Sequence, residues 1–169
     1  QYTPFLWSFH LPGSSDTFRG GGKNTPSKDL LAEYEENDPR MNLSIVPGYQ
    51  DEGANIWVDH PYTCKFYDPD WQNPGQNFEI IRYADILLMN AEALAELGEL
   101  DKTAWDATIK PIRARAGFTL ASALEFPEGA SKDKLIEIVR NERRSELALE
   151  GHRHKDIIRW RIADNVLNG

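Results

Sequence analysis

The chain has 169 residues, 40% of them hydrophobic, which is enough for one ordinary domain with a real core, so a disordered chain is not expected. Against 27 Asp and Glu stand only 19 Lys and Arg, and the formal charge of −8 opposes the phosphate neutralisation on which nucleic-acid binding depends; no nucleic-acid partner is expected. Cys64 is the single cysteine, which excludes an internal disulfide, a thiolate zinc cluster and a Cys-x-x-Cys redox pair.

The chain opens at Gln1 without an initiator Met, signal peptide or lipidation cysteine and stops at Gly169 just past an amphipathic stretch, so a fragment of a longer protein is expected. Residues 1–77 read as an irregular, loop-rich part with one short helix, because nearly all the prolines and most of the Gly, Asn and isolated aromatics lie there. Within it, Thr25-Pro26-Ser27 precedes Lys28–Tyr34 as the start of a capped helix of about two to three turns. That helix should end near Asn37, since Asp38 precedes a proline and is pushed away from helical geometry. The weak alternation of Met41–Val46 predicts a strand.

Residues 78–169 read as helical hairpins. Ile80, Ala84, Leu87, Ala91 and Leu94 repeat at helical spacing, and Ile81, Leu88 and Ala95 widen the stripe. Small residues at Ala84, Ala91, Ala93 and Ala95 permit close approach of a partner helix, and Gly98 is the expected C-cap. The run Ala84–Leu97 is interrupted by Asp85, Asn90, Glu92 and Glu96 and falls short of the roughly 20 apolar residues of a spanning helix. After a short turn, a second helix carries Trp105, Ile109, Ile112 and Ala116 on one face; Pro111 inside it removes a hydrogen bond and predicts a bend or a restart. Ser131 caps a third helix with Leu135, Ile138 or Val139, and Leu149, which Gly151 ends before a shorter fourth helix with Ile157, Trp160 and Ala163. The expected fold is mainly α: tetratricopeptide-like helical hairpins packed with an irregular, aromatic-containing subdomain.

Charges in the last two helices have a physical reading of their own. Glu142, Arg143, Arg144, Glu146 and Glu150, followed by Arg153, Asp156 and Arg159, can form interhelical Arg–carboxylate pairs, and charge at helical spacing points to structure rather than to chemistry.

Three segments resemble the C-terminal half of the SusD/RagB family: Asn37-Asp38-Pro39-Arg40; Ile81–Leu94 with its follower Ile112-Arg113-Ala114-Arg115-Ala116-Gly117; and Glu142–Arg153 closing with Asp156-Ile157-Ile158-Arg159-Trp160. The resemblance implies a SusD-like fold and a non-enzymatic, surface-exposed lipoprotein of the outer membrane, its anchor outside this chain. It also implies two partners, an oligosaccharide or other nutrient and a SusC-like TonB-dependent transporter that receives it. No cofactor is implied. Pro111 departs from the family pattern, which has a helix-compatible residue there.

Sugar recognition needs flat apolar platforms for the C–H faces of pyranose rings and planar polar groups for the hydroxyls. Trp7, Tyr49, Trp57 and Trp71 lie in loop-like sequence, with Asn55 and Asp59 flanking Trp57 and Gln72-Asn73 following Trp71. They are the candidate ligand-binding residues, with a lid packed on the helical half as the competing role. Trp7 leads, because it precedes the Asp38-Pro39-Arg40 motif where the resemblance implies ligand-facing loops, and Gly20–Gly22 would let that loop move. Trp105 and Trp160 fall on helix faces and are expected in the core.

Catalytic and metal readings fare worse. His152-Arg153-His154-Lys155-Asp156 has a His-x-His-x-Asp spacing, but residues two apart on a helix face different ways, and only His10 and His60 remain as further ligands. Asp68-Pro69-Asp70 with Asn73 offers oxygens for calcium without completing a binding loop, so an exposed turn is expected. No nucleophile elbow, phosphate loop or dinucleotide fingerprint occurs, and neither a metal nor an enzymatic activity is expected.

Overall fold

The computed structural model describes residues 25–51, 56–58, 61–65 and 79–167. The chain divides into two compact units, Gln1–Glu79 and Ile80–Gly169.

In the first unit, the Ser27 hydroxyl accepts from the Leu30 N–H at 3.1 Å and starts helix α1, Lys28–Glu33. The helix stops at an extended Tyr34, short of the predicted Asn37, because a turn follows: the Asp38 N–H donates to the Glu35 carbonyl, and Asn37 takes a left-handed φ of 64°. The strand expected over Met41–Val46 is mostly helix. Pro39 stands at the first position of α2, Pro39–Ser44, where its missing N–H is not needed. Asp38 caps that turn, accepting from the Arg40 N–H at 2.9 Å. Pro39 therefore opens the second helix, while the first has already ended at Tyr34. Only Ile45–Val46 remains extended, as β1, paired antiparallel with β4, Tyr62–Thr63. Between them, β2 (Tyr49–Asp51) and β3 (Ile56–Val58) form a second antiparallel pair.

The second unit is helical and has a hydrophobic core of its own. Helix α3 runs from Tyr83 to Leu97 and ends at Gly98, whose φ of 76° suits a residue without Cβ; the Gly98 and Glu99 N–H groups bond back to Ala95 and Leu94. Leu88, Ala91 and Ala95 are buried, as the spacing predicts, whereas Ala93 is exposed. Ile80 and Ile81 are not part of the buried stripe: Arg82 is the extended N-cap, so both isoleucines precede the helix, and they are 81% and 67% exposed.

The second predicted helix is two. α4 (Lys102–Ala107) is capped by Asp101, and α5 (Ile109–Ala116) restarts after Thr108, whose hydroxyl donates to the Ala104 carbonyl. The restart puts Pro111 in the first turn of α5, where N–H groups have no intrahelical acceptor to lose. Trp105, Ile109 and Ile112 enter the core, and the Trp105 indole N–H donates to Leu124 in the short helix α6, Ala121–Leu124.

Ser131 caps α7, Lys132–Glu146. This helix ends at Glu146 rather than at Gly151, because the chain reverses through left-handed Leu149 (φ 67°) and Gly151 (φ 79°). The predicted fourth helix is split into α8, Arg153–Arg159, and α9, Ala163–Val166, separated by a left-handed Arg161. Trp160 is only half-buried, not core; Arg140, Arg153 and Arg159 surround its ring with guanidinium carbons 4.7 to 6.0 Å from the centroid. The main packing is α3 against α7, running from Arg82 beside Glu146 to Glu96 beside Arg140.

Candidate functional site

Of the candidate ligand-binding residues, Tyr49 and Trp57 lie among the described residues; Trp7 and Trp71, the Gly20–Gly22 hinge, and Asp68, Asp70 and Asn73 lie outside them. Tyr49 and Trp57 are on strands rather than in loops. The antiparallel register sets Tyr49 opposite Val58, Gln50 opposite Trp57 and Asp51 opposite Ile56. An indole-bearing position thus faces an amide-bearing one across a single rung, and Tyr49 occupies the adjacent rung. Sequence periodicity missed this pairing because three-residue strands are too short to show alternation. Just upstream, the Arg40 guanidinium is closed on the Asp38 carboxylate by bonds of 2.9 and 2.7 Å, and both residues are buried.

The charged residues of the second unit form a buried network that reaches further than α7 and α8. Arg143 sits at its centre, bonding Asp85 of α3 through one nitrogen and Asp156 of α8 through Nε at 3.0 Å. Asp156 also accepts from Arg159 at 2.8 Å, and Arg159 grips both oxygens of Glu92 at 2.6 Å. The Trp160 indole N–H donates to the same Glu92 carboxylate. On the other side Arg82 holds Glu150 through two bonds of 2.8 and 2.7 Å and Glu146 at 3.0 Å, while Arg115 also donates to Glu146. Arg113 of α5 donates to Glu142 at 2.8 Å and stacks over Phe118. Arg144 is half-buried and engaged, and Arg153 flanks Trp160.

Sequence reasoning left Arg82, Asp85, Glu92, Arg113 and Arg115 out of this network. A signal existed: Asp85 and Glu92, seven residues apart, fall on the buried face of α3, where an acid persists only if paired. Burial pushes the Glu92 carboxyl up, but hydrogen bonds from Arg159 and Trp160 and the positive charges of Arg159 and Arg143 outweigh it, and the net shift is below the ordinary value. For Arg82, burial again opposes the charge, and the carboxylates of Glu150 and Glu146 reverse the balance so that its proton is held more tightly.

This arrangement does not resemble a reaction centre. Each carboxylate named is bonded to a guanidinium, so none is poised as a free base. His152 lies with Nδ1 3.4 Å from Arg143, whereas His154 is exposed on α8. Among the described residues no group of three or more His, Cys, Asp and Glu is arranged to hold a metal, and no helix is long and apolar enough to cross a membrane.

Comparison with known proteins places these features. The model of the SusD family matches residues 65–169. A SusD-like protein of Formosa agariphila is 32% identical over 163 residues, covering 93% of this chain and 29% of that protein. A second from the same organism is 32% identical over 149 residues, covering 86% and 28%. The chain therefore spans less than a third of the length of these relatives. Among solved structures, a SusD homolog from Bacteroides thetaiotaomicron shares the fold with a TM-score of 0.62 at 23% identity, over 91% of this chain and 40% of that one. A SusD-like carbohydrate-binding protein from Bacteroides fragilis matches with a TM-score of 0.55 at 26% identity, over 94% of this chain and 35% of the other. With the family model covering more than half of the sequence and the helices in SusD-like arrangement, the chain belongs to the SusD family.

Proposed function

We propose that this chain is part of a non-catalytic glycan-binding protein that captures oligosaccharides at the outer membrane and delivers them to a SusC-like TonB-dependent transporter. The protein would be a surface-exposed lipoprotein of the outer membrane. The observation that carries this reading is membership of the SusD family, one of whose solved neighbours is described as carbohydrate-binding. The aromatic residues Trp7, Tyr49, Trp57 and Trp71 are the proposed platform, and the Gln50–Trp57 rung supplies a planar ring position beside an amide position. The buried Arg–carboxylate network is assigned a structural role, holding α3, α7 and α8 in register.

Stacking a sugar ring on one indole removes modest apolar area, so each platform contributes on the order of 1 to 3 kcal/mol and affinity depends on several contacts. In the intact protein, replacing Trp7, Trp57 and Trp71 with Ala one at a time should weaken oligosaccharide binding about tenfold or more for at least one variant, with folding unchanged. If all three fold and bind a verified glycan like wild type, the platform lies elsewhere. Incubation with polysaccharides and divalent metals should release no reducing ends; release abolished by His152→Ala or His154→Ala would restore an enzymatic reading.

One observation favours a second reading. Tyr83, Ile86, Met89 and Leu97 are exposed along α3, an apolar face that suits a tetratricopeptide-like scaffold docking another protein. Substituting Ile86→Glu and Met89→Glu separates the two: a scaffold loses its protein partner, and a glycan binder keeps its sugar.

A further inference from the structure

We propose that the outer face of α3, turned away from α7, packs against a further helix of the same polypeptide, one supplied by the part of a full-length SusD-like protein that residues 1–169 do not span. The proposal goes beyond the glycan reading and does not depend on it.

Helix α3 is apolar on two sides. Leu88, Ala91 and Ala95 are buried in the core, whereas Tyr83, Ile86, Met89 and Leu97 are 76%, 46%, 45% and 69% exposed. At about 3.6 residues per turn, this second set and the exposed Ala93 fall within about 120° of one another, on the side of the helix opposite Leu88 and Ala95. Single exposed apolar side chains are ordinary on a protein surface, but a helix apolar on both faces is built to be covered on both.

The spacing points to a helix as the occupant. Tyr83, Ile86, Asn90, Ala93 and Leu97 advance by alternate steps of three and four, the repeat of a seam into which a second helix sets its side chains. Ala93 in that row lets a neighbouring backbone approach closely. Asn90 is its one polar member, of the kind that fixes the register of paired helices at some cost in stability. Glu96 borders α7 instead, bonded to Arg140 at 3.0 Å.

The source of that helix follows from length. The chain spans less than a third of the two SusD-like relatives, so most of such a protein lies outside the matched stretch. Stacked helical hairpins bury one face internally and the other against the next hairpin, and a hairpin without its neighbour leaves apolar surface open. A strip left open until a separate partner arrived would instead be an aggregation liability on the free protein.

Cysteine labelling of the intact protein tests this, in a Cys64→Ser background with each introduced thiol followed by mass spectrometry. Maleimide should modify Ile86→Cys and Ala93→Cys about tenfold or more slowly than Lys155→Cys, at an exposed position on α8, and the difference should vanish in denaturant. The protection should not change with protein concentration. In the unsubstituted protein, peroxide should oxidise Met89 about tenfold or more slowly than after unfolding, a measurement that no substitution can disturb. Labelling of either position as fast as Lys155→Cys, or oxidation of Met89 at its unfolded rate, overturns the proposal and leaves the face to a separate protein. Protection that is lost on dilution overturns it in favour of a second copy of this chain.

Discussion

The two ends of the α3–α7 pair bury their surfaces by opposite chemistry. At one end Leu88, Ala91 and Ala95 of α3 meet Leu135 and Val139 of α7 in an apolar cluster joined by Leu100, Trp105, Ile109 and Ile112. At the other, Arg82 meets Glu146 and Asp85 meets Arg143, each buried or half-buried acid held by a guanidinium. Apolar packing tolerates exchange for side chains of similar size, since any that conserves the volume fills the space. A guanidinium bonded to two carboxylates from different helices fits one arrangement only. The apolar end supplies cohesion, and the ionic end fixes which residues lie side by side.

The largest expected effect comes from breaking the ionic end at its centre. Arg143→Ala leaves Asp85 and Asp156 buried without their shared partner and should cost about 3 to 5 kcal/mol in denaturant unfolding. A loss under about 1 kcal/mol would mean that solvent reaches the pairs and that the two ends differ little. The sharper version replaces Asp85→Leu, Arg143→Met and Asp156→Leu together, which should recover most of the loss, because a buried ion network and an apolar substitute are close in stability. Leu88→Ala, at the apolar end, should cost about 2 to 5 kcal/mol and, unlike Arg143→Ala, leave the dependence of stability on pH unchanged.

Acid should separate the two ends without mutation. The Glu92 carboxyl is held below its unfolded value of 4.5, so its contribution is fully present above that pH and is lost as pH falls through the lower folded value. Thermal melting between neutral pH and the region below pH 4.5 should therefore fall more steeply in wild type than in Glu92→Gln. Equal slopes would remove Glu92 from the list of stabilising anions. The smallest effect belongs to a cluster of the same residue types at the surface: Lys102 and Lys110 with Asp106 and Glu125. Lys102→Ala should leave the melting temperature unchanged within error, because water already satisfies these charges; a clear drop would show that exposure does not distinguish the two clusters.

The elements readable from sequence were those whose cause is local. Gly98 ends α3, Ser131 begins α7 and Pro111 forces the restart that makes α5, each through groups within a few residues. The stop of α7 at Glu146 escaped because Leu149, not glycine, takes the first left-handed turn, which side-chain type does not announce. Helix α2 escaped because Pro39 reads equally as an end and as a first turn. The ion partners escaped for a different reason. Asp85 and Glu92 looked like interruptions of an apolar stripe, and their partners Arg143 and Arg159 are 58 and 67 residues away, beyond any periodicity. In the aromatic stretch, the strands carrying Tyr49 and Trp57 escaped because three residues are too few for alternation to show, although their pairing is local.

That separation along the chain also sets an order of events. Arg82 with Glu150, Glu92 with Arg159 and Asp85 with Arg143 close loops of 68, 67 and 58 residues. Contacts so far apart bear the full entropy of loop closure and form only after nearer ones have drawn the helices together. The α3–α4 turn and the α4–α5 restart are local and can be in place first. The ionic end is therefore expected to close late in folding. Loosening it with Arg143→Ala should leave the rate of folding nearly untouched and speed unfolding instead, so that the network governs how long the helices stay together more than how fast they meet.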